Sequence, residues 1–152
     1  MAEILKISQA SSLAFHSLLL LARQPEKKFS TPELARKLKV SEAHLSKVLQ
    51  TLVRSGFLKA ERGPAGGYQL AKSPERITLL EVYQAIEGRY QIRKCLLEKK
   101  ICFAQQCLFQ GLIEELNKEI KDYLRQTRLQ DLTVLEKGGK DGKKKASNCK
   151  DR

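Results

Sequence analysis

The hydrophobic positions between residues 8 and 54 repeat at helical spacing and predict three helices. The helix over residues 8–23 carries apolar side chains on more than one face, so it is expected to be deeply buried or shared with a second subunit. Ser30 followed by Thr31-Pro32 predicts the start of the second helix, because a hydroxyl caps it and proline fits its first turn. The third helix, capped by Ser41, carries one apolar stripe: Leu45, Val48, Leu49, Leu52 and Val53.

The opposite face of the third helix is polar and basic. Its candidate DNA-contacting residues, counted from the capping position, are Ser41, Glu42, His44, Ser46, Lys47, Gln50 and Arg54. Side chains of these kinds reach base edges and phosphates. Two short helices joined by a tight turn, the second one amphipathic and basic, predict a helix-turn-helix. A plain helical hairpin with a solvated outer face is the alternative interpretation of this segment.

A glycine-rich turn between two strand-like runs predicts a β-hairpin directly after the third helix. The runs are residues 57–60 and 68–71, and the turn reads RGPAGG over residues 62–67. Gly66 and Gly67 allow positive φ, and the turn glycines, Gly63 included, let backbone N–H groups approach a phosphate. Arg62 is well placed to enter a minor groove, where negative potential is concentrated. A hairpin in this position is typical of a DNA-binding wing.

The C-terminal half predicts two further helices around a cysteine-bearing loop. Thr78 and Glu81 form a capping-box pattern for a short helix that Gly88 closes. A long one-sided helix from about Phe103 to Gln126 is expected to pack on a second copy of the chain. The resulting fold class is mainly α, a winged helix-turn-helix with a small β-hairpin wing and a long dimerisation helix. The predicted regions are a DNA-binding domain (1–90), a cysteine loop (91–108), a dimerisation helix with a docking segment (109–135) and a disordered basic tail (136–152).

Charge is concentrated in the first half of the chain, as expected of a phosphate-binding surface. Residues 1–80 hold 13 Lys/Arg against 6 Asp/Glu, within a total net charge of +12. The most apolar stretch, residues 13–22, is half the roughly 20 residues that a membrane span needs, so we expect no membrane association and a cytoplasmic protein. No carboxylate pair, nucleophile–base set or phosphate loop is visible, which predicts that the protein is not an enzyme.

Three of the four cysteines, Cys95, Cys102 and Cys107, lie within thirteen residues. Their C-x6-C-x4-C spacing fits neither a zinc ribbon nor a CxxC dithiol. In a reducing compartment, clustered cysteines favour metal or redox roles over structural disulfides. Spacing alone leaves three interpretations open: an iron–sulfur cluster, a thiol switch, or small hydrophobic side chains. The fourth cysteine, Cys149, lies in the lysine-rich tail.

Residues 5–135 resemble the family of winged-helix regulators that includes the iron–sulfur regulator IscR and the nitric-oxide sensor NsrR. The resemblance is carried by RGPAGGY at residues 62–68, by ITLLEV at residues 77–82 and by the triple-cysteine loop before a long helix. It implies a homodimer with intertwined first and last helices, bound to a palindromic operator in double-stranded DNA. The third helix would enter the major groove and Arg62 the minor groove.

The same resemblance implies that Cys95, Cys102 and Cys107 bind a 2Fe-2S or 4Fe-4S cluster. Relatives that bind a cluster commonly have five residues between successive cysteines, whereas this chain has six and then four. At the position of the IscR-like histidine ligand stands Gln110, and at that of the NsrR-like acidic ligand stands Ser12. His16, one turn beyond Ser12, is a second candidate for the fourth ligand, although a buried core histidine is the preferred interpretation.

The leading hypothesis is therefore a dimeric, sequence-specific transcription regulator that senses redox state, nitric oxide or iron–sulfur status through a cluster. The alternative is the same DNA-binding regulator without a cluster, controlled by thiol oxidation or a small ligand. A third hypothesis, from another class, is an iron–sulfur carrier whose basic face docks an acidic partner. The RGPAGGY wing argues against the carrier.

Overall fold

The helices and strands follow one another in the order that the sequence pattern predicts. The computed structural model of the protein describes residues 6–92, 94–95, 109 and 111–134. Its elements are α1 (Gln9–Arg23), α2 (Thr31–Leu38), α3 (Glu42–Arg54), β1 (Leu58–Glu61), β2 (Gly67–Leu70), a 3-10 turn (Pro74–Arg76), α4 (Leu79–Glu87), α5 (Leu112–Gln126) and α6 (Leu129–Val134). The predicted fold class, a mainly helical winged helix-turn-helix, is confirmed.

Hydroxyl side chains cap α1 to α4, because the first backbone N–H groups of a helix have no partner within the helix. Ser8 and Ser41 each accept a hydrogen bond from the third residue after them. Ser30 and Thr78 form complete capping boxes with a glutamate three residues later. The helix starts predicted at Ser30, Ser41 and Thr78 are confirmed.

One apolar core joins α1, the helix-turn-helix, the hairpin and α6. The apolar stripe predicted on α3 faces this core, with Val53 half-buried and the other four members buried. Each fully buried leucine stabilises the fold by roughly 1.5–3 kcal/mol relative to an exposed one. The rotation of α3 about its axis is therefore fixed, and its polar face is directed away from the core. The fully buried apolar side chains include Leu18, Leu21, Phe29, Leu34, Leu45, Leu49, Leu52, Ile77, Val82 and Leu129.

The buried face of α1 differs from its prediction at one residue. His16 is exposed, so its prediction as a buried core histidine is wrong. Its Nδ1 lies 2.7 Å from the carbonyl oxygen of Ser12, within the same helix. The residues that α1 buries instead include Ser11 and Ser17, both with no exposed surface. The apolar residues of this helix are spread over several faces, and the sequence pattern therefore does not select the face that is buried.

The helix α5 begins later than its prediction. A continuous helix from about Phe103 is wrong, because Phe109 and Gly111 lie in a turn and the described helix starts at Leu112. Gly111 has φ +89°, a conformation that L side chains rarely adopt. Residues 103–108, which the prediction includes, lie outside the described residues.

A second, smaller apolar cluster holds α5 against α4. Its buried members are Leu79, Tyr83, Tyr90 and Leu124. Asn117 of α5 is wholly buried, and its Nδ2 donates a hydrogen bond of 2.8 Å to the carbonyl oxygen of Ile113. Its Oδ1 accepts no hydrogen bond from any described residue. Tyr90 donates to the main-chain oxygen of Asn117 at 3.1 Å, which ties the chain after α4 to the middle of α5.

The docking segment returns to the first half of the chain. Backbone hydrogen bonds join Leu79 N to Thr127 O at 3.0 Å and Leu129 N to Ile77 O at 2.9 Å. Leu129 is fully buried and Leu132 half-buried, so this segment packs against the rest of the chain. The predicted basic tail (136–152), with Cys149, lies outside the described residues. Among the residues that are described, no helix is long and apolar enough to cross a membrane.

Candidate nucleic-acid interface

A tight turn sets the position of α3 relative to α2. Lys39 ends α2 in the left-handed conformation, with φ 54° and ψ 47°. Val40 N donates to Ala35 O at 3.1 Å, and Ser41 then caps α3. The short connection fixes two helices whose buried faces share the core, which is the geometry of a helix-turn-helix.

The polar face of α3 carries the side chains predicted to reach DNA. Lys47, Gln50 and Arg54 are exposed, as are Ser41 and Glu42 at its start. The remaining two predicted residues of this helix, His44 and Ser46, are half-buried. The interactions within this face are local: Gln50 Nε2 donates to Ser46 Oγ at 3.5 Å.

The wing presents Arg62 at its tip. This arginine is exposed, one residue beyond the end of β1. Positive φ occurs at Gly63 (110°) and Gly67 (149°), whereas Gly66 does not use the positive φ that a glycine permits. Gly66 is required for space instead, because a Cβ there would lie 2.3 Å from the carbonyl oxygen of Glu61. Its N–H donates to Gly63 O at 2.9 Å, so the turn already uses a group predicted to meet phosphate.

The base of the wing is tied to the segment before α2, which sequence reasoning missed. Phe29 and Tyr68 exchange two backbone hydrogen bonds, of 3.1 and 2.8 Å. A Cβ on Gly67 would lie 2.8 Å from the carbonyl oxygen of Phe29, so glycine permits this close approach. Gln69 Nε2 donates to Pro25 O at 2.7 Å. One signal was present in the sequence: an apolar residue just before a helix cap, as Phe29 is, often anchors the entering chain.

Two carboxylates beside the helix-turn-helix, those of Glu33 and Glu61, are occupied by internal partners. Hydrogen bonds from the backbone and side chain of Ser30 lower the pKa of the Glu33 carboxyl. The ammonium group of Lys28 hydrogen-bonds to Glu61 and lowers the pKa of that carboxyl. The cations of the predicted interface pair with no carboxylate of a described residue and so remain available to phosphate: Lys47, Arg54 and Arg62.

An open depression joins the two parts of this surface. It has a volume of about 270 Å³ and lies between the second half of α3 and the base of the wing. Its walls are formed by Gln50, Val53 and Arg54 from the helix and by Ala60 and Tyr68 from the strands. The polar face of α3 and the hairpin therefore belong to one continuous surface.

The described part of the predicted cysteine site is one thiol. Cys95 is half-buried, whereas Cys102 and Cys107 lie outside the described residues. Of the two candidate fourth ligands, Ser12 is half-buried and His16 is exposed. Because Nδ1 of His16 lies against the carbonyl oxygen of Ser12, Nε2 is the ring nitrogen that makes no hydrogen bond to a described residue. The described residues bring no three His, Cys, Asp or Glu side chains together as a metal site.

A helix-turn-helix followed by a hairpin with a basic tip defines the winged-helix class of DNA-binding proteins. The sequence profile of the Rrf2 family, described as "Iron-dependent Transcriptional regulator", matches residues 7–134. The chain belongs to the Rrf2 family. The resemblance inferred from the wing, the α4 start and the cysteine loop is thus confirmed.

Three similar proteins illustrate the range of this family. The transcriptional regulator NsrR of Shouchella clausii is 29% identical over 135 residues, which cover 87% of this chain and 91% of NsrR. The solved structure of CymR, the global cysteine regulator of B. subtilis, superposes with a TM-score of 0.72 at 25% identity, covering 86% of this chain and 98% of CymR. The structure of T. potens IscR superposes with a TM-score of 0.69 at 25% identity, covering 91% and 94% of the two chains.

Proposed function

We propose that the protein is a homodimeric, sequence-specific regulator that reads a palindromic operator. In this proposal the exposed face of α3 contacts bases in the major groove and Arg62 enters the adjacent minor groove. The observation that carries it is the continuous surface on which Gln50 and Arg54 of α3 meet the base of the wing. Membership of a family of transcriptional regulators supports the same function.

Selection of binding sites from random double-stranded DNA tests this function directly. Wild-type protein is expected to enrich one palindromic motif. Arg62→Ala is expected to weaken binding to that motif by about 1–3 kcal/mol, because a charge in the minor groove is lost. Arg76→Ala, an equal charge change on the 3-10 turn, serves as the control. Unaltered affinity of Arg62→Ala at physiological salt would remove the wing from the interface.

Three polar residues from the first three turns of α3 are expected to set base preference rather than overall affinity. A variant with His44, Ser46 and Gln50 replaced by alanine should enrich a different or degenerate motif, because base-edge hydrogen bonds carry sequence information. Selection of the wild-type motif by this variant would contradict the role.

The outer side of α5 supports the homodimer. Leu112 is 47% and Tyr123 59% exposed, and half-buried Leu116 lies between them on the same side of the helix. An apolar stripe beside charged residues is typical of a helix that packs on a partner. Light scattering is expected to give about twice the chain mass of 17.2 kDa. Tyr123→Asp should produce a monomer with an unaltered helix content. A monomeric wild-type protein would contradict the homodimer and also the proposal that the operator is palindromic.

We propose that Cys95, Cys102 and Cys107 hold an iron–sulfur cluster, of 4Fe-4S or 2Fe-2S type, with Ser12 or His16 as candidate fourth ligand. Thiolates are the usual ligands of such clusters, and the iron-dependent character of the family agrees with a cofactor of this kind. When bound, the cluster would supply iron that reacts with oxygen or nitric oxide. Cys95 follows Tyr90, whose hydroxyl holds α5, so a change at the cysteine would act close to the proposed dimer helix.

Anaerobic reconstitution tests the cluster. Alanine at Cys95, Cys102 or Cys107 is expected to abolish visible absorbance and bound iron, whereas Cys149→Ala should retain both. His16→Ala and Ser12→Ala separate the two candidates for the fourth ligand, since only the true ligand should change the spectrum while the fold is kept. Retention of a full cluster by any of the three cysteine variants would contradict this assignment.

The alternative, a thiol or small-ligand switch on the same DNA-binding protein, is favoured by one observation. The chain resembles CymR, a global cysteine regulator, as closely as it resembles IscR, at 25% identity in both cases. Colourless protein that fails reconstitution but binds the selected operator would support this alternative. Thiol-specific labelling of Cys95 with and without an oxidant would then identify the switch.

A further inference from the structure

Gln50 is proposed to contact a base, but the other walls of the depression between α3 and the wing have no contact assigned to them so far. The depression is open, has a volume of about 270 Å³ and is walled by Gln50, Val53, Arg54, Ala60 and Tyr68. Binding of bases by α3 and insertion of Arg62 would leave these walls facing the DNA between the two contacts. The inference below rests on the proposed DNA binding.

A protein that occupies a major groove and the adjacent minor groove must cross the sugar–phosphate strand that separates them. On this chain the crossing falls between the second half of α3 and the base of the hairpin, which is where the depression lies. We infer that the depression accommodates the sugar–phosphate backbone of one operator strand, with Arg54 bound to a phosphate and the apolar walls against a deoxyribose.

The chemistry of the walls matches this occupant. Val53 and Tyr68 are half-buried and, with Ala60, supply apolar surface, whereas Arg54 supplies an exposed cation. Arg54 Nη2 donates to Thr51 Oγ1 at 3.3 Å, and that hydroxyl donates to Lys47 O at 3.1 Å. The guanidinium group is therefore held by a neighbour and still has donors free for phosphate oxygens.

The size and rigidity of the depression also favour a strand of DNA over a small effector molecule. Pockets for drug-sized ligands enclose about 300–1,000 Å³, whereas this space of about 270 Å³ is smaller and open to solvent. Ala60 and Tyr68 are paired across the two strands, and Tyr68 also bonds to the backbone of Phe29. The wall is thus formed before DNA arrives, as a contact that fixes register requires.

Filling the depression tests the inference without removing a charge. Ala60→Leu places a larger apolar side chain beside Tyr68, a cross-strand pairing that a β-hairpin tolerates. Ala71→Leu, an equal change at an exposed alanine beyond β2, is the matched control. The probe is a short duplex carrying the motif that wild-type protein selects, with a scrambled duplex of equal length beside it. Ala60→Leu is expected to weaken binding to both duplexes about tenfold or more, and Ala71→Leu to leave both unchanged.

Arg54→Ala separates a phosphate contact from a base contact. Loss of one phosphate contact should weaken binding to both duplexes about tenfold and reduce the dependence of log affinity on log salt by about 0.9. Arg76→Ala should leave both quantities unchanged. A methylphosphonate linkage replaces one charged phosphate of the duplex by a neutral group and can be placed at each position along either strand in turn. At one position it should weaken the binding of wild-type protein but cause no further loss of affinity for Arg54→Ala.

Each outcome has a distinct meaning. If wild-type protein selects no motif, the proposed DNA binding fails before the depression is tested. If wild-type protein binds the selected duplex and Ala60→Leu binds it equally well, the inference is overturned. It is also overturned if Ala71→Leu loses as much affinity for DNA as Ala60→Leu does. It is equally overturned if Arg54→Ala loses affinity for the selected motif alone, which would make Arg54 a base contact. Loss of a response to thiols or small metabolites by Ala60→Leu, with DNA affinity intact, would make the depression an effector site.

Discussion

The DNA-reading half of the molecule and its C-terminal helix are held in different ways. From α1 to α4 every helix has a capping side chain, and one core with wholly buried leucines joins them. By contrast, α5 begins at Gly111 without a side-chain cap. It buries Asn117, whose Oδ1 has no partner among the described residues, and it exposes Leu112 and Tyr123.

This difference indicates that the two halves depend on different sources of stability. Local capping and a shared core make the DNA-reading half complete within one chain. The apolar outer side of α5 leaves a surface that a second chain would cover in the proposed dimer. The same kind of substitution should therefore change the free energy of unfolding by different amounts in the two halves. Three experiments test this.

The largest effect is expected at Leu49, a wholly buried residue of α3. Leu49→Ala should lower the free energy of unfolding by about 3–5 kcal/mol, because a cavity forms in the core. Leu112→Ala is the contrasting change, since this leucine is 47% exposed. In urea titrations at low protein concentration, Leu112→Ala should lower the free energy of unfolding by no more than about 0.5 kcal/mol. This loss should grow with protein concentration if a second chain covers α5. A loss at Leu49 below about 1 kcal/mol would contradict the contrast.

An intermediate effect of opposite sign is expected at Asn117. Asn117→Leu removes a buried oxygen without a described partner, while Tyr90 keeps its hydrogen bond to the main chain. The free energy of unfolding should rise by about 1–2 kcal/mol, since an unsatisfied buried acceptor is costly. Asn117→Asp, which buries a charge, should destabilise instead. Destabilisation by Asn117→Leu would contradict this prediction.

The smallest effect concerns Glu87, the last residue of α4, which ties α4 to α1 within the DNA-reading half by accepting hydrogen bonds from Ser8 N and Ser11 Oγ. Burial raises the pKa of this carboxyl, but the hydrogen bonds from Ser11 and Ser8, together with the charge of Lys6, outweigh it, so the folded pKa lies below its ordinary value. Stability from this group is thus present above the ordinary glutamate pKa and is lost as pH falls through the folded pKa.

Glu87→Gln should therefore cost about 1 kcal/mol near neutral pH, and the difference from wild type should shrink as the pH falls below about 4.3. Denaturant titrations at several pH values measure this. Glu75→Gln, at an exposed residue of the 3-10 turn, should leave the pH dependence unchanged. A constant difference between Glu87→Gln and wild type across this pH range would show that ionisation of Glu87 does not contribute.

The sequence predicted best where one local signal decides the structure. Caps at Ser30, Ser41 and Thr78 and the leucine stripe of α3 depend on neighbouring residues alone, and all were confirmed. The candidate DNA-contacting side chains of α3 followed from that stripe, because the opposite face of a packed helix is free.

Errors arose where the decision lies in distant contacts. Whether α1 buries His16 or Ser11 depends on Glu87, which lies 76 residues beyond Ser11 in the sequence. The tie between Phe29 and Tyr68 joins residues that no helical or strand period relates. The predicted start of α5 was too early because the helical spacing of apolar residues continues through Gly111, whereas the backbone of Gly111 is not helical. Ligation by Cys102 and Cys107 stays a prediction.

The tie between Phe29 and the wing has a consequence for the design of chimeric regulators. Because the wing is bonded to residues that precede α2, neither α3 nor the hairpin is a separable module. A wing exchanged alone would have to keep glycine at position 67, where a Cβ would meet the backbone of Phe29, and would lose the bond to Pro25 O unless position 69 kept a donor. The smallest transplant that keeps these contacts runs from Pro25 to Ala71, whose N–H closes the hairpin on Phe57. If α3 and the wing read DNA as proposed, residues 25–71 would have to be transferred together to transfer DNA preference.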